Sequence, residues 1–134
     1  MSDRPRVLII DDDYEIVQAI MVRLTAEGFD VYAAHGGLQG VASAVTSPPD
    51  AILLDIRMPV KDGLTTLTEL REHETTRKTP VLILSASMPD RQRALALGAH
   101  AFLEKPYDPT KLVTALQSAM THGAGARASE RVRT

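Results

Sequence analysis

Short unbroken apolar runs alternate along this chain with longer stretches in which apolar residues recur every three or four positions. The first run, Arg6-Val7-Leu8-Ile9-Ile10, is continuous and not alternating, which marks a strand covered on both faces. From Tyr14 to Glu27, Val17, Ile20, Met21 and Leu24 fall at helical spacing, and Gly28 stands where a helix ends in a left-handed residue. Asp30 to Ala34 reads as a shorter strand. Leu38, Val41, Ala42 and Val45 then line one face of a second helix, which Ser47-Pro48-Pro49 stops. Ala51-Ile52-Leu53-Leu54 is another buried run and ends at Asp55. After the loop from Arg57 to Gly63, in which Met58 packs beneath and Asp62-Gly63 supplies turn chemistry, a helix places Leu64, Leu67 and Leu70 inward. Pro80-Val81-Leu82-Ile83-Leu84 is a buried strand ended by Ser85, and a short helix around Arg91 to Leu97 stops at Gly98. The last strand is Ala101-Phe102-Leu103, followed by Lys105-Pro106. Asp108 and Pro109 then provide the cap and first residue of a final helix that buries Leu112, Val113, Leu116, Ala119 and Met120.

Five strands, each followed by a helix, predict an α/β fold with parallel pairing, right-handed crossovers and helices on both faces of the sheet. One domain is expected over residues 1–122. Residues 123–134 lack any apolar period and are expected to form a disordered tail. The tail's Arg127, Arg131 and Arg133 are offset by Glu130 and read as a solvated end.

Composition narrows the function classes. With 134 residues the chain suits a single domain that needs no covalent staple, and its lack of cysteine removes disulfides and thiolate metal sites. Fifteen basic and seventeen acidic residues give a net charge of -2, without the basic excess expected of a nucleic-acid binder. The apolar stretch Val7 to Ile10 is too short for a signal-peptide core or a membrane span, so a cytoplasmic location is expected. His35, His73, His100 and His122 show no ligand spacing and read as surface or loop residues.

Candidate chemistry sits at the strand ends. An open parallel sheet binds ligands beyond the carboxyl ends of its strands. Here the first strand ends in Asp11-Asp12-Asp13, the third in Asp55, the fourth in Ser85 and the fifth in Glu104-Lys105. Two unit charges about 4 Å apart repel by roughly 4 kcal/mol at an effective dielectric near 20. Asp11, Asp12 and Asp55 therefore need a counter-charge to share a pocket, and Mg²⁺, a hard cation that takes oxygen ligands, answers that need. Lys105 offers a second positive charge. A carboxylate is also a competent nucleophile toward phosphorus. The bland reading is a helix cap: Asp12 with Glu15 has the spacing of a capping box, and Asp13 reads as a cap. The convergence of strand ends outweighs that reading for Asp11 and Asp12.

Asp-Asp after the first strand, L-L-D-I-R-M-P-V-K-D-G after the third, S-A after the fourth and F-L-E-K-P at the fifth, taken as an ordered set, resemble the response-regulator receiver family over residues 5 to about 121. The resemblance implies a flavodoxin-like doubly wound (βα)5 fold with strand order 2-1-3-4-5. It implies a phosphorylation switch and not a classical enzyme: Asp55 accepts a phosphoryl group, with Mg²⁺ held by Asp11, Asp12, Asp55 and the backbone carbonyl of Arg57. Lys105 contacts the phosphoryl group and is followed by a cis bond to Pro106. Ser85 binds the phosphoryl oxygen after transfer, and Phe102 takes the aromatic switch position. The implied partners are a sensor histidine kinase or histidine phosphotransfer protein and an unidentified downstream protein. Phosphorylation-dependent homodimerisation stays open, and no nucleic acid or membrane is contacted directly. Arg57 and Ser87 occupy positions that influence dephosphorylation in this family.

Two departures stand out. The segment from Ser85 to Lys105 is shorter than usual, so a truncated or shifted fourth helix is expected, and Phe102 lacks the hydroxyl of a tyrosine. Three other readings compete. A Mg²⁺-dependent phosphohydrolase would use Asp11-x-Asp13 and would ordinarily need a cap element. A flavodoxin-like nucleotide binder would want a Gly-rich or hydroxyl-rich loop where three aspartates stand. A receiver-like interaction module would go unphosphorylated.

Overall fold

The structure, a computed structural model, describes residues 4–56, 58, 62–85, 88–104 and 108–120. Its elements alternate along the chain: β1 (Arg6–Ile10), α1 (Tyr14–Ala26), β2 (Asp30–Ala34), α2 (Gly37–Thr46), β3 (Ala51–Asp55), α3 (Gly63–Glu72), β4 (Val81–Ser85), α4 (Met88–Ala96), β5 (Ala101–Glu104) and α5 (residues 109–120). The five strands pair in parallel in the order β2-β1-β3-β4-β5, the flavodoxin-like doubly wound arrangement that the receiver resemblance implies. Among the described residues no helix is long and apolar enough to cross a membrane.

Side-chain alternation divides the core in two. Val7, Ile9, Ala51, Leu53, Leu82 and Leu84 point toward α1 and α5, where they meet Val17, Ile20, Leu24, Leu112, Leu116 and Ala119. Leu8, Ile10, Ile52, Leu54, Val81 and Ile83 point the other way, against α2, α3 and α4. The three central strands are therefore buried on both faces, which is why they read as continuous apolar runs.

Helix ends follow the expected chemistry. Asp13 caps α1, its Oδ1 accepting from the backbone N–H groups of Glu15 (3.0 Å) and Ile16 (3.2 Å), and Gly28 follows with φ of 97°. Asp108 caps α5 by accepting from Thr110 N at 2.9 Å. Leu112, Val113, Leu116, Ala119 and Met120 are all buried, as the helical period predicts.

Two details differ from the sequence reading. In α2 the buried positions are Gly37, Gly40, Val41 and Ala44, whereas Leu38 is 70% exposed and Ala42 is exposed. Of the four apolar positions read as one face, Val41 is buried and Val45 packs against the core, while Leu38 and Ala42 point outward. The inward face is set by Gly40, at which an added Cβ would lie 2.6 Å from Ile10 Cδ1. The second difference is α4, which starts at Met88 and so precedes the expected Arg91, because Pro89 is tolerated in a first helical turn. At nine residues it is the shortest of the described helices.

At the opposite end of the sheet from the acidic cluster, Asp50 Oδ2 accepts from Arg6 N at 2.8 Å, and the Arg6 guanidinium lies over the Tyr32 ring, 4.6 Å from its centroid. The Tyr32 hydroxyl donates to the carbonyl of Ser47. Burial raises the Tyr32 pKa above its ordinary value; the charge of Arg6 opposes this, and Asp50 and Asp30 reinforce it. Because the folded-state value exceeds the unfolded one, this contribution to stability is complete below the unfolded tyrosine value of about 10 and is lost as pH rises through the folded value. An ultraviolet titration of the chain's three tyrosines should show one phenolate forming late, and Tyr32→Phe should remove that late step. Three coincident transitions in the native protein would contradict it.

Candidate functional site

The site is built where the strands stop. Asp11 continues the ladder one residue past β1, its N–H donating to Ala34 O at 3.1 Å. By strand alternation, Asp11 shares the face of Val7 and Ile9, and Asp55 shares that of Ala51 and Leu53, so both follow apolar residues of the α1/α5 layer. Asp11 Oδ1 accepts from Asp13 N at 3.0 Å, which turns the chain so that Asp13 can cap α1. Asp12 is left half-buried between the two.

Asp11, Asp12 and Asp55 each bring one carboxylate oxygen within 4.8 Å of the others. Asp11 is 1% exposed and Asp55 4%. At that spacing each ionised pair repels by about 3 kcal/mol at an effective dielectric near 20, so a counter-charge is required. Three carboxylate oxygens this close together are hard donors whose charge suits Mg²⁺, which takes one or two carboxylates and completes its shell with other oxygens. Asp13 lies outside this set, being exposed and committed to the helix cap.

The far side of the pocket depends on how α3 begins. Gly63, the first residue of α3, donates to Ile56 O at 2.9 Å, and Met58 N donates to the same oxygen at 3.1 Å. A Cβ at Gly63 would lie 2.4 Å from Asp55 O and 2.5 Å from Ile56 Cα. Only glycine lets the helix sit directly on the backbone of Asp55. Asp62 caps the helix by accepting from Thr65 N at 2.8 Å. Sequence inspection finds the Asp-Gly turn but not this close approach, which depends on where β3 lies relative to α3.

Ser85 ends β4 and is 1% exposed. It lies opposite Glu104 on β5, and Phe102 lies opposite Ile83, so Ser85 and Phe102 share one face of the sheet as diagonal neighbours. Phe102 is half-buried against the α2/α3/α4 core. The structure thus brings together Asp11, Asp12 and Asp55, and puts Ser85 at the end of the strand beside Asp55. Arg57, Lys105, the Lys105–Pro106 bond, Ser87 and His122 lie outside the described residues.

A cavity of about 380 Å³ is lined by Ile56, Met58, Asp62, Leu64, Asp90 and Arg93. Met58 is buried here, as expected. Asp90, 6% exposed in the first turn of α4, was not singled out by sequence; its one signal is an acidic residue directly after Pro89. His35 sits in the loop after β2 and is half-buried, its ring stacked on Tyr14 with centroids 3.9 Å apart.

Residues 7–117 match the family described as response regulator receiver domain. The transcriptional regulatory protein PrrA of Mycobacterium bovis is 40% identical over 116 residues, covering 85% of this chain and 49% of PrrA. The chain spans about half the length of the curated relatives it matches. Among solved structures, the chemotaxis protein CheY4 of Vibrio cholerae is 31% identical with a TM-score of 0.82, covering 87% of this chain and 98% of CheY4. The receiver domain of the sensor histidine kinase PA1611 from Pseudomonas aeruginosa is 32% identical, also with a TM-score of 0.82, covering 88% of this chain and 98% of its own; that structure has a magnesium ion coordinated in its active-site cleft.

Proposed function

This chain belongs to the response regulator receiver domain family, and we propose that it is a phosphorylation switch in which Asp55 accepts a phosphoryl group. The observation that carries this reading is the meeting of Asp11, Asp12 and Asp55 within 4.8 Å, two of them buried, at the carboxyl ends of β1 and β3. A carboxylate oxygen of Asp55 attacks phosphorus, the bond from phosphorus to the donor's imidazole nitrogen breaks, and the ring, protonated on its other nitrogen, keeps that electron pair and leaves as neutral imidazole. The product is an aspartyl phosphate. Asp11, Asp12, Asp55 and the backbone carbonyl of Arg57 are the residues that would hold Mg²⁺, which supplies the positive charge that lets carboxylates and phosphoryl oxygens approach.

Lys105 is assigned the second positive charge on the phosphoryl group. Ser85, buried at the end of the neighbouring strand, is assigned the hydrogen bond to a phosphoryl oxygen once the group has been transferred. Phe102, on the same face as Ser85, then repacks, and the population shifts toward an active arrangement. The phosphoryl donor is a histidine kinase or histidine phosphotransfer protein, and the output passes through a protein that reads α4, β5 and α5. The separate engagement of Asp13 as a helix cap supports this assignment over a hydrolase using Asp11-x-Asp13.

Incubation with acetyl phosphate and Mg²⁺ should add the mass of one phosphoryl group to the intact chain. Chelation of the metal or Asp55→Asn should abolish the gain. A gain that survives Asp55→Asn would overturn the assignment, and a label found on Asp11 would point to the hydrolase instead.

A further inference from the structure

In α4, Asp90 and Ala94 are buried one turn apart, which turns that stripe of the helix toward the sheet. Arg91 lies beside the stripe, and its guanidinium carbon is over the ring of Phe102, 6.0 Å from the centroid. That is the outer limit of cation–π attraction. The far end of α4 is fixed independently: Arg71 of α3 donates to Gly98 O from Nε at 3.2 Å and from a terminal nitrogen at 2.7 Å. With the helix held at its inner stripe and its end, the Arg91 side chain can change its contact with Phe102 without moving the helix.

From this geometry we infer that Arg91 is a positioning residue that latches Phe102 in its resting place. The inference rests on the reading of Asp55 as phosphoacceptor, and it adds the restraint against which that switch works. Phe102 has no hydroxyl with which to hold a polar partner, so its resting position depends on packing in the α2/α3/α4 core on one side and on the Arg91 cation on the other. Repacking of the ring on phosphorylation must break the Arg91 contact. An exposed cation–π contact of this kind biases an equilibrium by roughly 2- to 5-fold. Its loss should raise the population of the active arrangement by the same factor and tighten binding of a phosphoryl mimic correspondingly.

The chain has only two phenylalanines, Phe29 and Phe102, so labelling with 4-fluorophenylalanine yields two ¹⁹F lines. Phe29 is buried in the opposite core layer and serves as the internal reference. Beryllofluoride with Mg²⁺ is titrated into the wild type, Arg91→Ala and Arg91→Lys, following the Phe102 line. In Arg91→Ala the resting line should lie part-way toward its saturated position, and the titration midpoint should fall about 2- to 5-fold. Arg91→Lys, which keeps the cation, should fall between the two. Beryllofluoride binding with the same midpoint and resting line in all three proteins would overturn the latch while leaving Asp55 as acceptor. Absence of any Mg²⁺-dependent beryllofluoride binding in the wild type would overturn both.

Discussion

Replacing Gly63 with alanine is expected to disable the protein even though residue 63 carries no chemistry. The added Cβ would lie 2.4 Å from Asp55 O and 2.5 Å from Ile56 Cα, and both obstacles are backbone. Backbone cannot rotate aside as a side chain can, so either α3 lifts from the sheet or the end of β3 shifts. The first outcome breaks the bond from Gly63 N to Ile56 O and empties contacts made by Leu67 and Leu70, both fully buried. The second displaces Asp55 from Asp11 and Asp12. Overpacking a well-filled core costs about 1–3 kcal/mol, and a clash with backbone belongs at the upper end. Urea unfolding should show a loss of about 3 kcal/mol. Acetyl phosphate labelling of whatever remains folded should slow by at least about tenfold, because an error near 1 Å at reacting groups can cost a hundredfold. Wild-type labelling by a fully stable Gly63→Ala protein would show that the approach of α3 to β3 is not needed to place Asp55.

Arg71→Ala is expected to produce the second large loss, this time of stability. A single guanidinium ties three backbone carbonyls together: Thr76 O at 3.1 Å, Thr79 O at 2.8 Å and Gly98 O at 2.7 Å. It thereby fastens the end of α3 to the turn before β4 and to the turn after α4. Burial lowers the Arg71 pKa from its ordinary value, a desolvation cost that the fork of hydrogen bonds must offset. Truncation leaves the carbonyls of the loop without that donor, and each buried group left unsatisfied costs about 1–3 kcal/mol. Some of these carbonyls can take water, so a net loss of about 2–4 kcal/mol is expected. Arg71→Lys should recover less than half of it, because an ammonium cannot span three acceptors with planar geometry. Hydrogen exchange should accelerate selectively in residues 73–80 and 97–100. Uniform acceleration across the sheet would mean that Arg71 acts through global stability and not as a local fastening.

The strands were legible because parallel strands covered on both faces must be apolar throughout, and the polar residues that end them stand out against those runs. Asp11, Asp12, Asp55 and Ser85 could be picked out for that reason, and the structure gathers the three carboxylates. What escaped were contacts whose meaning lies in distance. Gly40 and Gly63 look like ordinary helix and turn glycines until Ile10 and Asp55 are seen against them. The inward face of α2 was misjudged because glycines, not Leu38, face the sheet. Arg71 was invisible because its partners are main-chain carbonyls, which every sequence has. The start of α4 was read late, around Arg91, although Pro89 fits a first helical turn.

A sheet whose central strands are uniformly aliphatic has a hidden difficulty: little in Ile52-Leu53-Leu54 distinguishes one pairing frame from the next. Slippage of β3 by a single step would exchange like for like along most of its length. The exception is its last residue, since a step in one direction drags the Asp55 carboxylate into the aliphatic interior, where an uncompensated charge costs far more than a misplaced leucine. Asp11 guards β1 in the same manner, and the Ser85 hydroxyl imposes a smaller polar penalty on β4. The polar tips assigned to signalling thus double as stops that hold the assembled strands in frame, so variants that neutralise them for functional study can also loosen the alignment of the sheet itself.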